Sequence, residues 1–239
     1  MKKRSLLITV LLFIVILPGC SQTWENHVQH TGALRNAMVH GDISAKIQLS
    51  ELAGLDNLYA LGAVGELNGE VQIFDSQPSI TYVEDGNLLF DTTFQSSASF
   101  IVYAQVKTWQ QITIPSEVVT RDQFEEYLQI EAERIGLNTD EPFPFLLSGN
   151  FAENSWHVIQ WDPSDTVHTH EKHIESGLFG KMENKHLEML GFFSKNHAGV
   201  FTHHTTFMHL HYITEDGLSA GHSDDFILGD SVVLSLPIE

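Results

Sequence analysis

Residues 205–227 read TTFMHLHYITEDGLSAGHSDDFI, and whether they fold as a β-hairpin decides both the fold class and the chemistry. Met208, Leu210 and Tyr212 alternate with His209 and His211, the period of a strand with one apolar and one polar face. Asp216-Gly217 favours a two-residue type I′ turn, and about that turn His211 falls directly opposite His222. Three imidazoles then converge on one patch. Neutral imidazole is a common zinc ligand, and three protein ligands leave the open position that distinguishes catalytic from structural zinc sites. Spacing alone leaves a plainer alternative. The chain has 14 histidines, eleven of them from His157 to His222, so two on the polar face of one strand need carry no chemistry.

Outward from the hairpin, the chain begins with a targeting segment. Lys2, Lys3 and Arg4 precede the apolar run 6–17, and Leu17-Pro18-Gly19-Cys20 reads as a lipobox ending in the only cysteine. The run is shorter than the about 20 residues a membrane span needs. Residues 1–19 are expected to be a lipoprotein signal peptide, the chain exported and its membrane contact confined to lipid on Cys20. An ordinary signal peptide is the alternative, since Pro18 is unusual in such a box. Without Lys2, Lys3 and Arg4 the 12 basic residues fall to 9 against 31 acidic ones, so the formal charge moves from −19 to −22. Such a surface repels nucleic acid and anionic headgroups.

The fold expected is α+β, mostly β, with two sheet-rich halves of mixed or antiparallel strands, a linking helix and a barrel-like second half. A tether (20–31) leads to an N-terminal β-rich half (32–118), the helix (119–138) and a C-terminal metal-binding half (139–239). Residues 33–40 have helical spacing, 42–49 suit a strand, and 57–75 read as two strands around Asn68-Gly69. Residues 79–83 and 99–109 complete the first sheet, with a hairpin turn at Asp85-Gly86. Thr120 with Gln123 forms a capping box, and Phe124, Tyr127, Leu128, Glu131 and Ile135 continue the helix toward Gly136. Pro142 and Pro144 mark a loop. Strands are expected at 155–161, 166–170, 186–193, 205–213, 222–228 and 231–236.

Other histidines compete for a metal. His168-x-His170-x-x-His173 would place two rings on one strand face and the third in a loop, while His203 and His204 would diverge on a regular strand. The hairpin also resembles the first cupin motif, which would recruit Glu215. The glycine expected before His209 is absent, and no second cupin motif follows.

A wider pattern covers about residues 32–238. Asn36-Ala37-Met38, Leu61-Gly62, Leu67-Asn68-Gly69-Glu70, Gly191-Phe192-Phe193, His209-x-His211 and Gly221-His222 occur in the order that resembles the α-acetolactate decarboxylases. The resemblance implies zinc on His209, His211 and His222, and an acid/base carboxylate at Glu70. Composition alone would leave Glu70 exposed beside a turn. The resemblance further implies a small-molecule 2-hydroxy-3-oxo acid substrate, 2-acetolactate, decarboxylated to acetoin, and is compatible with a homodimer. This chain departs from the family pattern in three places. A family arginine in the stretch matching 167–170 has only His170 as its counterpart, and His170 could hold a substrate carboxylate only when protonated. Arg35 and Arg121 are the other cations for that role. A further C-terminal glutamate has no match up to Glu239, and Ala63 stands where threonine is usual. An exported His-rich zinc-binding lipoprotein without activity, and a cupin-type metalloenzyme, are the competing readings.

Overall fold

The computed structural model describes residues 28–238, so the expected signal peptide, Cys20 and most of the tether lie outside the described residues. A buried apolar run organises the first sheet. In β3 (Leu58–Val64, LYALGAV) every side chain is buried, which places it between neighbours. Around it stand β1 (Gln29–Thr31), β2 (Ile47–Gln48), β4 (Glu70–Phe74), β5 (Gln77–Glu84), β6 (Asn87–Asp91) and β7 (Ser97–Gln105). The order is β1-β7-β3-β4-β5-β6, with β2 also on β7, and every pairing is antiparallel. Helix α1 (Leu34–His40) follows β1 and ends at Gly41, whose φ of 64° is the left-handed conformation glycine tolerates.

Two expectations here need correction. The strand expected at 42–49 shrinks to β2, because Asp42 accepts from the Ser44 backbone and hydroxyl and from Lys46, a local network that competes with sheet pairing. The turn after β3 is longer than Asn68-Gly69: Val64 N–H reaches the Gly69 carbonyl at 3.0 Å across the intervening residues. Glu66 and Leu67 are both left-handed, with φ of 62° and 52°. Non-glycine residues in that region are strained and cluster at functional sites. Asp85-Gly86 does form the expected two-residue turn, with φ of 51° and 73°.

The second sheet contains β8 (Trp109–Thr113), β9 (Phe143–Val158), β10 (Leu178–Phe193), β11 (Met208–Thr214), β12 (Ala220–Leu228) and β13 (Val233–Pro237). β9 and β10 pair along their whole length, β11 continues from β10 to β12, and β12 returns to β9. That cycle is the partial ring expected of a barrel-like half; β13 and β8 extend it from β9. Helix α2 (Arg121–Arg134) starts at the predicted capping box, in which Thr120 accepts from Gln123 N and the Gln123 side chain accepts from Thr120 N. Its buried Phe124, Leu128 and Ala132 join the ring's core, with the Phe124 ring 5.7 Å from Phe145 and 5.8 Å from Phe226. Burying one such phenylalanine stabilises by about 1.5–3 kcal/mol.

Three local expectations fail in this half. Pro144 lies inside β9 rather than in a loop, tolerated as the strand's second residue, where little ladder remains to break. The strand expected at 155–161 is the end of β9 and stops at Val158. Residues 166–170 alternate like a strand but do not form one. Thr169 Oγ1 accepts from Lys172 N at 3.2 Å and caps α3 (His170–Glu175) instead.

The sheets join beneath the β3–β4 loop, where Leu67 O accepts from Trp161 N at 3.0 Å. Ala37, Ala63, Leu67, Phe100, Ile159 and Trp161 seal this junction as one apolar cluster.

Candidate metal centre and active site

β11 and β12 pair with His211 opposite His222, the expected register, although the connection opens to residues 215–218. Asp216 stabilises it by accepting from Leu218 N and Thr214 Oγ1. Gly221 is required by close approach, since a Cβ there would sit 2.7 Å from the His157 carbonyl oxygen on β9. Glu215, the rival ligand, is exposed in this loop and takes no part in the cluster.

The three histidines meet. Ligating atoms of His209, His211 and His222 all lie within 4.8 Å of one another. His209 Nδ1 donates to the Phe201 carbonyl at 2.7 Å, which leaves its Nε2 bare. Gln72 Nε2 donates to Thr81 Oγ1 at 2.8 Å, so Gln72 Oε1 faces His211 Nδ1 at 3.2 Å and accepts from it. Two bare Nε2 lone pairs are thereby aimed at each other, 3.2 Å apart, with His222 Nδ1 3.0 Å from His209 Nε2. Facing lone pairs repel unless a proton or cation lies between them. Nitrogens about 2.0–2.1 Å from a tetrahedral zinc would stand about 3.3 Å apart, so this donor set fits the ion. Burial also keeps the rings in the neutral ligating form: it pushes His209 down to about 3 and holds His211 and His222 well below the ordinary 6.5.

Glu70 is buried beside this centre, not exposed after a turn. Its Oε2 lies 3.6 Å from His211 Nε2, and its Oε1 accepts from Ile159 N at 3.2 Å. Burial pushes its carboxyl up to about 8, opposed by the charge of His157 and the Ile159 hydrogen bond. A carboxyl in that state can hold a proton at neutral pH.

His157 and Asp224 belong to the site although neither was singled out in the sequence. His157 Nδ1 lies 2.9 and 3.0 Å from the two Asp224 oxygens, and its Nε2 is 3.9 Å from Glu70 Oε1. Burial opposes charge on His157, but Asp224 and then Glu70 outweigh it and hold the ring above its ordinary value. Asp224 stands two residues beyond His222, a spacing that could have drawn attention to it. His157 and Gln72 could be found only from the long-range pairing of β9 and the docking of β4.

His209, His222, Glu70, His157 and Asp224 line a cavity of about 300 Å³, with His211 packed behind them. Its walls include Leu67, Phe100, Ile159 and Met208, with His170, His173, His203, His204, Arg35 and Arg121 also on its lining. His170 is therefore near the centre but not in the ligand cluster, and burial, ahead of neighbouring charges, lowers its pKa. The neutral ring this favours cannot hold a carboxylate by charge. His168 and His173 turn to each other, Nδ1 to Nε2 at 2.9 Å, and His168 stacks on Trp161. His203 and His204 lie in a turn rather than on a strand, so they do not diverge: their ring centroids are 4.0 Å apart.

A family model described as alpha-acetolactate decarboxylase matches residues 30–237. The chain belongs to the alpha-acetolactate decarboxylase family. Two solved acetolactate decarboxylases share its fold. The enzyme from Bacillus subtilis strain 168 is 16% identical with a TM-score of 0.68, and that from Bacillus subtilis subspecies spizizenii is 17% identical with a TM-score of 0.70. Each alignment covers 89% of this chain and 86% of the other. A Staphylococcus aureus protein of unknown function, similar to alpha-acetolactate decarboxylase, aligns at 16% identity and a TM-score of 0.72, covering 89% and 85% of the two chains. No curated protein matches. At such low identity the structures speak for the fold, and membership in the alpha-acetolactate decarboxylase family rests on the family model.

Proposed function

We propose that the chain is a zinc-dependent decarboxylase acting on a 2-hydroxy-3-oxo acid, with 2-acetolactate as substrate and acetoin and CO2 as products. The observation that carries this reading is the convergence of three imidazole nitrogens, two of them bare Nε2 atoms, beside buried Glu70 at the wall of a cavity. Decarboxylation breaks the bond from C2 to the carboxylate, and its electron pair moves into the adjacent ketone to give an enediolate. Zinc held by His209, His211 and His222 would supply Lewis-acid stabilisation of charge on the ketone and hydroxyl oxygens.

The remaining work falls to the chain's own groups. Glu70, buried beside the ligand nitrogens, delivers the proton that returns C2 to a tetrahedral carbon. Ile159 N fixes the Glu70 carboxyl, and delivery from one side makes the hydroxyketone chiral. His157, oriented by Asp224, faces Glu70 and resets its proton between turnovers. Phe100, Leu67 and Met208 give the cavity apolar walls, a setting that strengthens each of these interactions.

The apolar segment 6–17 and Cys20 support an exported, lipid-anchored form as part of the same proposal. Metal analysis followed by measurement of CO2 and acetoin from 2-acetolactate tests the reading. One equivalent of zinc with no CO2 release from 2-acetolactate or its close analogues would sink it and leave a zinc-binding protein.

A further inference from the structure

The chain has four arginines: Arg4, Arg35, Arg121 and Arg134. Of the three within the described residues, Arg134 pairs with Glu131 on its own helix, while Arg35 and Arg121 both line the cavity that His209, His222 and Glu70 also line. No lysine lines it. In a chain of formal charge −19, cations are rare and carboxylates are everywhere. Yet among the described residues no carboxylate lies within ion-pairing distance of Arg121, and its Nε is buried without a hydrogen-bond partner.

The local structure explains how that charge stays free. Arg121 is the first residue of α2, fixed in place by the Thr120–Gln123 capping box. One turn later Glu125 stands at the i+4 position, where it would ordinarily pair with Arg121. Glu125 is engaged elsewhere: its Oε2 accepts from Thr206 Oγ1 at 2.5 Å and from Phe207 N at 2.9 Å. The carboxylate that could neutralise Arg121 instead pins the end of the 203–206 segment, which lines the same cavity. Arg121 also registers electrostatically beside the metal centre. After burial and other causes, its charge contributes to lowering His170 and His203 on the cavity lining.

We infer that Arg121 is the anchor for the carboxylate of a small anionic ligand in this cavity, a role for which neither His170 nor Arg35 is suited. His170 is not a fixed cation, and Arg35 is exposed, where a guanidinium gains less from an ion pair. Only the identity of that ligand as a 2-hydroxy-3-oxo acid rests on the decarboxylase reading. Arg121 then acts in specificity, admitting the acid and discriminating against the neutral product, which has lost the carboxylate.

The test uses the zinc-loaded protein and two probes. 2,3-Dihydroxy-2-methylbutanoate carries the carboxylate but no ketone to accept electrons, so it binds without reacting. 2-Methylbutane-2,3-diol lacks the carboxylate. Calorimetric titration should show that Arg121→Gln weakens the acid by about 10–100-fold, the value of a charge-assisted hydrogen bond, and leaves the diol unchanged. Arg121→Lys should recover part of the loss, because the charge remains without the planar fork. Arg35→Gln should change neither probe by more than about two-fold. Arg121 makes no hydrogen bond through Nε, so the variants should unfold at the wild-type urea concentration, and that measurement separates lost binding from lost folding. Acid affinity in Arg121→Gln within about two-fold of wild type, equal loss of both probes, or no wild-type preference for the acid would each overturn the assignment. If 2-acetolactate is not decarboxylated but Arg121→Gln still weakens the acid selectively, the decarboxylase reading falls and the anchor stands. If CO2 release proceeds with unchanged kcat/KM in Arg121→Gln, the anchor falls and the decarboxylase reading stands.

Discussion

Replacing Gln72 by leucine isolates how the first sheet governs the proposed metal centre built on the second. Gln72 and His211 are both fully buried, so no water can substitute for the amide oxygen that accepts from His211 Nδ1. Leucine is of similar size and removes that acceptor without opening a large hole. His211 then has two courses. It can keep its proton on Nδ1, which leaves a buried donor unsatisfied and costs about 1–3 kcal/mol of stability in the metal-free protein. It can instead move the proton to Nε2, which protects stability but fills the lone pair that zinc requires. Either course weakens zinc, and loss of such an outer hydrogen bond typically costs about 10–100-fold in affinity, equivalent to about 1.4–2.7 kcal/mol. Competition against a fluorescent chelator at fixed pH gives the affinity, and urea unfolding of the metal-free protein distinguishes the two courses. Gln72→Glu retains an acceptor and should keep zinc binding. A Gln72→Leu protein that binds zinc within about three-fold of wild type would refute the claim that Gln72 sets the His211 tautomer.

Other substitutions probe separate parts of the structure. His222→Ala should remove stoichiometric zinc, measured by metal analysis after dialysis, whereas Glu215→Ala should retain it because Glu215 is exposed in the hairpin loop. Glu70 is raised from 4.5 to about 8 in the metal-free fold, so the folded state binds the extra proton between those values and Glu70 loses stability as pH rises through them. Denaturation of the metal-free Glu70→Gln protein should therefore gain on wild type across that window, and a flat difference would contradict the burial argument. Thr120→Ala removes the hydroxyl that caps α2 and should cost about 0.5–2 kcal/mol in urea unfolding.

The parts legible in the sequence are those whose determinants are local. The alternation of 208–212 and the position of Gly221-His222 gave the right ladder register even though the turn proved longer, because extending a symmetric loop leaves opposite partners unchanged. Thr120 and Gln123 announced α2 through a hydrogen-bond exchange contained within four residues. β9 was fragmentary for the opposite reason. Its sequence FPFLLSGNFAENSWHV contains Pro144, Gly149 and several polar residues, and it stays extended because β10 on one side and β12 or β13 on the other pair with it. His157 was obscured with it. Residues 166–170 misled because the alternation of TVHTH imitates a strand, while the Thr169 hydroxyl favours a helix cap. Glu70 was recognisable by resemblance, but its burial depends on Ile159, which is 89 residues away in the chain.

The division of labour between the sheets has a consequence for assembly. His209, His211 and His222 come from the second sheet, whereas Glu70 and the tautomer-setting Gln72 come from β4 of the first. A folding intermediate with only the second sheet formed would possess the ligands but not the orientation of His211. Under the zinc proposal, affinity for the ion is a gauge of whether the two sheets have docked. The linkage runs in both directions, since an ion that prefers the docked state stabilises it by RT ln(1 + [L]/Kd), about 4 kcal/mol at a thousand times Kd. The ion would thus act as a clasp across the junction, and the rate at which a chelator strips it would report how often the two sheets part.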